Sequence, residues 1–380
     1  MRGAPDGRRA AGCDGPGMTS SLPTRVVIAG GGIGGLEAMF ALRSLAGFRV
    51  FLTLMTPDPV FCVRALSVGD PFSGPALRRY DVGRLCSEVD AEFVQDALTS
   101  VDPGARTVTT GGDQTVPYDD LVLAMGALQR APYAGGITFR GLEDAEAVHG
   151  LIQDVELGAV ESVVFVVPSG TTWPLPLYEL ALLTAERAFA MGADVALTLV
   201  TPEERPLGYF GLDASATVTG LLRDAGIELR TETHVRDLDH GSAVGFDGTP
   251  VVQARRAVTI PVLEGRRIPG IPTDARGFVP VDEHGAVIGL PGVWAVGDAT
   301  TFPLKQGGLA AQQADAAAAA IAAAAGASVA PATPHPVMRA KLFTGGRPAH
   351  LGEVTSDDDA KVATTYLGPM LTRLGTRAPA

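Results

Sequence analysis

The chain has 380 residues, 46% of them hydrophobic, and a formal net charge of −12. That is enough apolar material for two ordinary domains with cores. The acidic balance, with no basic stripe, argues against nucleic acid as a partner, and no run of about 18 apolar residues is present to span a membrane.

In chain order, residues 1–23 are polar and rich in glycine, proline and arginine; a disordered tail is expected, with Met18 the natural start. Arg8-Arg9 and Gly12-Cys13 lack the apolar stretch that an export signal needs. Val26, Val27 and Ile28 then run into glycines, and a helical pattern follows from Leu36 to Leu42. Gly30, Gly32 and Gly35 give G-x-G-x-x-G at this strand-to-helix junction, with Ile33 and Gly34 between. The first glycine permits the turn, the second lets a diphosphate approach the backbone, and the third lets the helix pack on the strand. The helix start offers unpaired N–H groups and a positive dipole end to the phosphates.

Arg49 to Met55 reads as the next strand, broken by Thr56-Pro57-Asp58-Pro59. A hairpin follows around Gly111-Gly112-Asp113, then a buried strand at Leu121 to Ala124. A polar helix over 142–157 leads to a second alternating series. It comprises a strand at Ser162 to Val167, a helix from about Leu177, a strand at Asp194 to Val200, a helix at Ala214 to Ala225 and a strand at Ile227 to Arg230. A turn at Phe246-Asp247-Gly248 precedes a strand at Arg256 to Pro261. A short strand ends in Gly297-Asp298, and an alanine-rich helix spans about 308–325. Strands alternating with helices predict an α/β fold with two mostly parallel sheets, that is, two Rossmann-like dinucleotide-binding domains. The second is inserted in the first: 24–135 and 286–330 form one domain, 136–285 the other, and 331–380 is a C-terminal segment.

Five stretches carry a family resemblance, beginning with GGGIGGLEA (Gly30 to Ala38). GVWAVGDAT (Gly292 to Thr300) resembles the second flavin motif of the pyridine nucleotide–disulfide oxidoreductase superfamily. YDDLVLAMGA (Tyr118 to Ala127) resembles the motif closing the first half of its FAD domain, with Met125-Gly126 in place of the usual threonine-glycine. With VTPEERPLGYFG and PLKQGGLAAQQAD, residues 24 to about 350 are similar to the branch holding sulfide:quinone oxidoreductases and flavocytochrome c sulfide dehydrogenase flavoproteins; type II NADH dehydrogenases are near relatives. The resemblance implies FAD between the domains, with Asp298 on a ribityl hydroxyl; non-covalent binding is expected, with attachment through Cys62 the alternative. The Lys305-Gln306-Gly307-Gly308 helix start would then face the N1 and C2-carbonyl side of the flavin, and Lys305 would add a cation. Gln312 and Gln313 read as helix-face residues, with a place bordering a quinone-like pocket as the alternative.

The departures are as informative. Where a nicotinamide domain carries its glycine-rich turn, this chain reads VVPSGTTWPLPLYEL, keeping only Gly170 among three prolines. Proline offers no N–H to a phosphate, and Trp173 replaces an open approach; NAD(P)H binding stays an open alternative. Trp173 is expected over the flavin, shaping a pocket for a smaller or apolar reactant, with Glu179 near a helix start where the dipole favours it. The three cysteines, Cys13, Cys62 and Cys86, form no C-x-x-C pair, and none follows Cys86, so a dithiol or persulfide relay has no carrier. Aligned on Leu66-Ser67, the flavin-attaching cysteine of some relatives falls at Arg64. Cys62 is expected as a buried apolar thiol, and Cys86 as core. The histidines, His149, His234, His240, His284, His335 and His350, show no metal or hydrolase spacing. Asp357, Asp358 and Asp359 cluster in the tail, and Gly368-Pro369 is expected to interrupt any helix over 365–374.

These features predict a cytoplasmic FAD-dependent oxidoreductase. It would pass two electrons from a small-molecule donor to an acceptor such as a quinone. Peripheral membrane association and a homodimer are both left open. The alternatives are an NAD(P)H dehydrogenase with an atypical nicotinamide loop and a flavin-binding regulatory protein without turnover.

Overall fold

The computed structural model describes residues 22–72, 74, 77–239, 241–246, 248–331, 335–352 and 361–375. The expectations for the N-terminal tail up to residue 21, His240, Asp247 and Asp357 to Asp359 lie outside the described residues.

The chain opens with β1 (Thr24–Ala29), α1 (Ile33–Ala46), β2 (Val50–Met55), β3 (Glu92–Val94), β4 (Asp120–Leu123) and β5 (Ala127–Arg130). A second series follows: β6 (Ile137–Thr138), α2 (Ala145–Glu156), β7 (Ser162–Val166), α3 (Leu175–Met191), β8 (Ala196–Val200), α4 (Leu212–Asp224), β9 (Ile227–Arg230), β10 (Arg256–Thr259) and β11 (Val262–Gly265). The last elements are β12 (Val293–Ala295), α5 (Gly307–Ala324), β13 (Arg339–Leu342), β14 (Ala349–Gly352) and α6 (Leu367–Gly375).

Two parallel five-stranded sheets result, ordered β12-β4-β1-β2-β3 and β6-β10-β7-β8-β9. The strand order reverses beside β1 in the first sheet and beside β7 in the second. Such switch points open a crevice at the carboxyl ends of the strands. Strand β12 reaches back across the sequence to complete the first sheet, and the antiparallel pair β5-β11 runs between the two series.

Period-two alternation sets the layers. Val26 and Ile28 face a core shared with α1 and α5, while Val27 and Ala29 face the opposite core. Residues after β11 return to that second core: Ile268, Ile271, Val279, Val281 and Val287 pack with Leu121 and Leu123. The packing therefore changes sides near residue 262, well before the boundary at 285 expected from sequence. The intervening stretch is mostly turns and isolated bridges, which carry no periodicity to reveal it.

On α1, every residue from Gly34 to Leu42 is buried, because helices flank it as well as the sheet. Ala314, Ala317, Ala318 and Ala322 of α5 share the same core. Their small side chains let the two helices approach closely. The C-terminal residues divide between the cores: Leu342 and Leu351 join α3, and Leu367 and Leu371 join α1. Gly368-Pro369 does not interrupt the last helix, contrary to expectation. Pro369 is the third residue of α6, within the first turn, where no intrahelical N–H bond is lost.

Gly35 is the tightest joint in the first unit. A β-carbon there would lie 1.8 Å from the Gly30 carbonyl oxygen. Gly35→Ala should lower unfolding stability by about 3 kcal/mol, at the upper end for overpacking. Gly150→Ala on α2, where a β-carbon meets nothing within 4 Å, should match or slightly exceed wild type. Urea denaturation of both checks this.

Candidate functional site

The first switch point opens into a cavity of about 880 Å³, at the upper end of the range for ligand sites. Its floor is the turn after β1. Gly30 has φ +124°, a conformation that L side chains rarely adopt, and a β-carbon there would lie 2.2 Å from the Ala124 carbonyl. Gly32 is the N-cap of α1, and no side chain caps that helix start. Its first N–H groups therefore lack intrahelical partners. A β-carbon at Gly32 would meet no protein atom within 4 Å. The backbone thus approaches the cavity without an intervening side chain.

Gly30, Gly32, Ile33, Gly34, Met125, Gly126, Gly297, Asp298, Lys305, Gln306, Gly307, Arg64 and Trp173 all line this one cavity. Gly35 and Gly308 do not; Gly35 packs on the Gly30 backbone, and Gly308 packs against the Gln306 side chain. Asp58, in the stretch after β2, also lines the wall.

Asp298 follows β12, where its carboxylate is half-buried and receives no protein hydrogen bond among the described residues. Burial pushes this carboxyl above the ordinary aspartate range, while the Lys305 and Arg64 charges pull it down. Lys305 is buried rather than a surface lysine, 6% exposed. Its ammonium donates to the Thr300 carbonyl and sits 4.1 Å from the Phe278 ring centroid. Burial lowers this amine to about 8, with Asp298 opposing.

The start of α5 is capped by Gln306, whose side chain accepts from Leu309 N at 2.8 Å. The Gly307 and Gly308 N–H groups stay free of helical partners. Gln312 and Gln313 do not border the cavity. Gln312 exchanges hydrogen bonds with Val337, and Gln313 accepts from Gly297 N at 2.7 Å, steadying the turn that carries Asp298. Cys62 is part-exposed and lines the cavity, not buried as expected, because its backbone falls in the irregular stretch after Phe61 at the rim. Cys86 is core.

The far wall comes from the second series. Trp173 packs on Tyr209 and Phe210, with ring centroids 5.6 and 5.8 Å away. Glu179 is not placed at the dipole of α3. It is the fifth residue of that helix, fully buried, and paired with Lys361 while accepting from Phe343 N at 2.8 Å. Burial raises Glu179 and lowers Lys361, and each offsets the other. Sequence reading missed Lys361, Lys341 and Arg140, which also line the cavity. Lys361 lies far from every motif, and no spacing could have flagged it.

At the second switch point the acid after β8 is already engaged. Glu203 accepts from Tyr178 Oη at 2.6 Å, Thr201 Oγ1 at 2.8 Å and Leu207 N at 3.0 Å. Burial raises the Glu203 carboxyl, with Tyr178 and Thr201 opposing, and it raises the Tyr178 phenol well above its ordinary value. Of the histidines, His149 meets the Pro71 carbonyl and His234 meets Ser169. No cluster of metal-ligating side chains occurs among the described residues, and no described helix is long and apolar enough to cross a membrane.

Comparison with known proteins agrees with this geometry. An NADH dehydrogenase-like protein of Mycobacterium tuberculosis is 27% identical over 297 residues, covering 72% of each chain. The sulfide-quinone reductase of Aquifex aeolicus is 28% identical over 65% of this chain and 60% of its own. The solved sulfide:quinone oxidoreductase of that organism superposes with a TM-score of 0.79 at 20% identity, over 87% of both chains. The family model described as pyridine nucleotide-disulphide oxidoreductase matches residues 24–324, and the chain belongs to that family of flavin oxidoreductases.

Proposed function

We propose that the cavity holds FAD non-covalently and that the protein passes two electrons from a small donor to an acceptor such as a quinone. The observation carrying this reading is the meeting of two distant segments, Gly30 to Gly34 and Gly297 to Gly307, on one cavity. The fit to the group rests on chemistry. Free N–H groups and an open glycine suit a diphosphate. An unpartnered carboxylate at Asp298 suits a sugar-alcohol hydroxyl. Arg64 and Lys341 add positive charge to the wall of an acidic chain, while Arg140 and Lys361 are paired with Asp144 and Glu179.

FAD, when bound, supplies the two-electron chemistry. The chain's part is to position and to tune. The Gly307 N–H group and Lys305 lie at the cavity wall as positive charge and favour negative charge there. Trp173 and the loop over 168–174 exclude water and narrow the reactant site. On this reading the FAD domain is 24–135 plus 262–330, and the second domain is 136–261.

The NADH dehydrogenase-like relatives favour a second reading, a nicotinamide donor. Against it stand Pro168, Pro174 and Pro176 in the expected phosphate turn. Against it too stands Glu203, which Tyr178 engages where a ribose would be read. No cysteine after Cys86 is available for a sulfide relay of the dithiol kind. The site therefore favours a donor that meets the flavin directly.

Anaerobic mixing decides between these donors. The purified protein should be yellow. Its flavin should bleach with a hydroquinone or another small reductant, recover on adding a quinone, and stay oxidised with NADH and NADPH. Rapid bleaching by NADH rejects the preferred donor class, and a colourless protein that takes up no added FAD rejects the reading whole.

Gly32→Ala places a methyl group in the diphosphate path without touching protein. It should keep wild-type thermal stability without added ligand and weaken FAD retention at least tenfold, measured by equilibrium dialysis.

Lys305 generates a pH test. Its folded value, about 8, lies below its ordinary 10.5. Between these values the unfolded chain binds more protons, so stability rises with pH across that window. Lys305→Met should remove the rise, as read by chemical denaturation from pH 7.5 to 10.

A further inference from the structure

Residues 361–375 are tied down at both ends of a short crossing. At one end Lys361 pairs with buried Glu179 and donates to the Lys341 carbonyl at 2.6 Å. Between the ties, Lys361 and Val362 form part of the cavity wall. A β-carbon at Gly307, the first residue of α5, would lie 3.0 Å from Val362.

The other end rests on two acids. Glu37 of α1 is wholly buried. Its carboxylate accepts from Thr365 N at 2.5 Å, Tyr366 N at 2.8 Å and Leu367 N at 2.6 Å. They are the first N–H of α6 and the two N–H groups before it, and a carboxylate at a helix start is the group that suits them. Asp315 of α5 lies beside Glu37 and accepts from Thr365 Oγ1 at 2.6 Å. Its other oxygen, Oδ1, is buried and finds no donor. Two carboxyl groups in contact, one already saturated by N–H donors, are satisfied together only when a proton lies between them.

We propose that residues 361–375 form a strap across the cavity wall, latched by the Glu37–Asp315 carboxyl pair and loosened when the pair loses the proton it shares.

The groups facing the pair support the sign. From α6 and the residues before it come the three N–H groups, the Thr365 hydroxyl and the Tyr366 phenol; from α1 and α5 come only the two acids themselves. The Arg373–Glu88 ion pair sits at the opposite end of α6. Burial, and then the negative charge of Glu37, push Asp315 up to about 7. Burial also raises Glu37, opposed by its three N–H donors. An undocked strap returns Asp315 to water, which lowers its carboxyl below the docked value. Docking therefore takes up a proton in the pH range just below about 7. The latch is strongest at the acid end, weakens by up to tenfold per pH unit on rising to about 7, and is level above.

Hydrogen exchange on the full chain tests this, with rates divided by the intrinsic rate at each pH so that protection reports the opening equilibrium. From pH 5.5 to 7 the protection of Thr365, Tyr366 and Leu367 should fall about tenfold per unit, then level off by pH 8. The Leu309 amide, held by the Gln306 side chain beside Val362, should follow in parallel, and amides of β1 should not. Asp315→Asn keeps a neutral donor opposite Glu37, so its protection should be flat with pH and exceed wild type at pH 8.5. A flat wild-type profile overturns the proposal, as does an Asp315→Asn profile that retains the wild-type slope. If the variant does not fold, the wild-type profile alone decides, since the apolar contacts of Leu367, Met370, Leu371 and Leu374 carry no charge to titrate.

Discussion

Everything at the site depends on how closely α1 lies on β1. With glycine at both 30 and 35, the helix start presses against the strand end until the Gly30 carbonyl lies where a β-carbon of residue 35 would sit. That contact aims the free N–H groups of α1 at the carboxyl edge of the sheet. It also leaves room for β4 to run alongside and bring Ala124 against Gly30. The alanine face of α5 then closes on α1, which sets the start of α5 beside the glycine turn, with Gly307 close to Ile33. Two positive helix ends converge on one space because one helix pair is packed tightly.

Much of this was legible in the sequence, for physical reasons. Glycine at a strand-to-helix junction and an apolar strand ending in Gly297-Asp298 are backbone requirements, and backbone requirements leave residue-level marks. The parallel strands are buried on both faces and read as continuous runs such as Val163 to Val166. Even the altered loop at 168–176 was readable, because proline removes a donor wherever it falls.

The features the sequence hid are pairings between remote side chains. Lys361 meets Glu179 across 182 positions, and Leu367 meets Glu37 across 330. No periodicity encodes such contacts, since the tertiary fold creates them. Glu179 looked like a helix-start acid because local dipole arguments see one helix only; its partner arrives from the chain's last described segment. Pro369 was misread for a related cause. A proline breaks a helix in the interior and begins one at the edge, and only the packing of Leu367 against α1 reveals which.

Tyr178 and Glu203 leave a mark of a different kind. Substituting the tyrosine alone would not return the carboxylate to solvent, because Thr201 and the Leu207 amide would still hold it inside. Recovering a ribose reader would take concerted changes in α3, in the loop after β8 and in the proline-bearing turn. On the proposed reading, the way back to a nicotinamide donor is therefore a steep one for single mutations. On the same reading, the loop around Ser169 to Thr172 carries no phosphate and is free to drift toward whatever reactant the Trp173 wall admits.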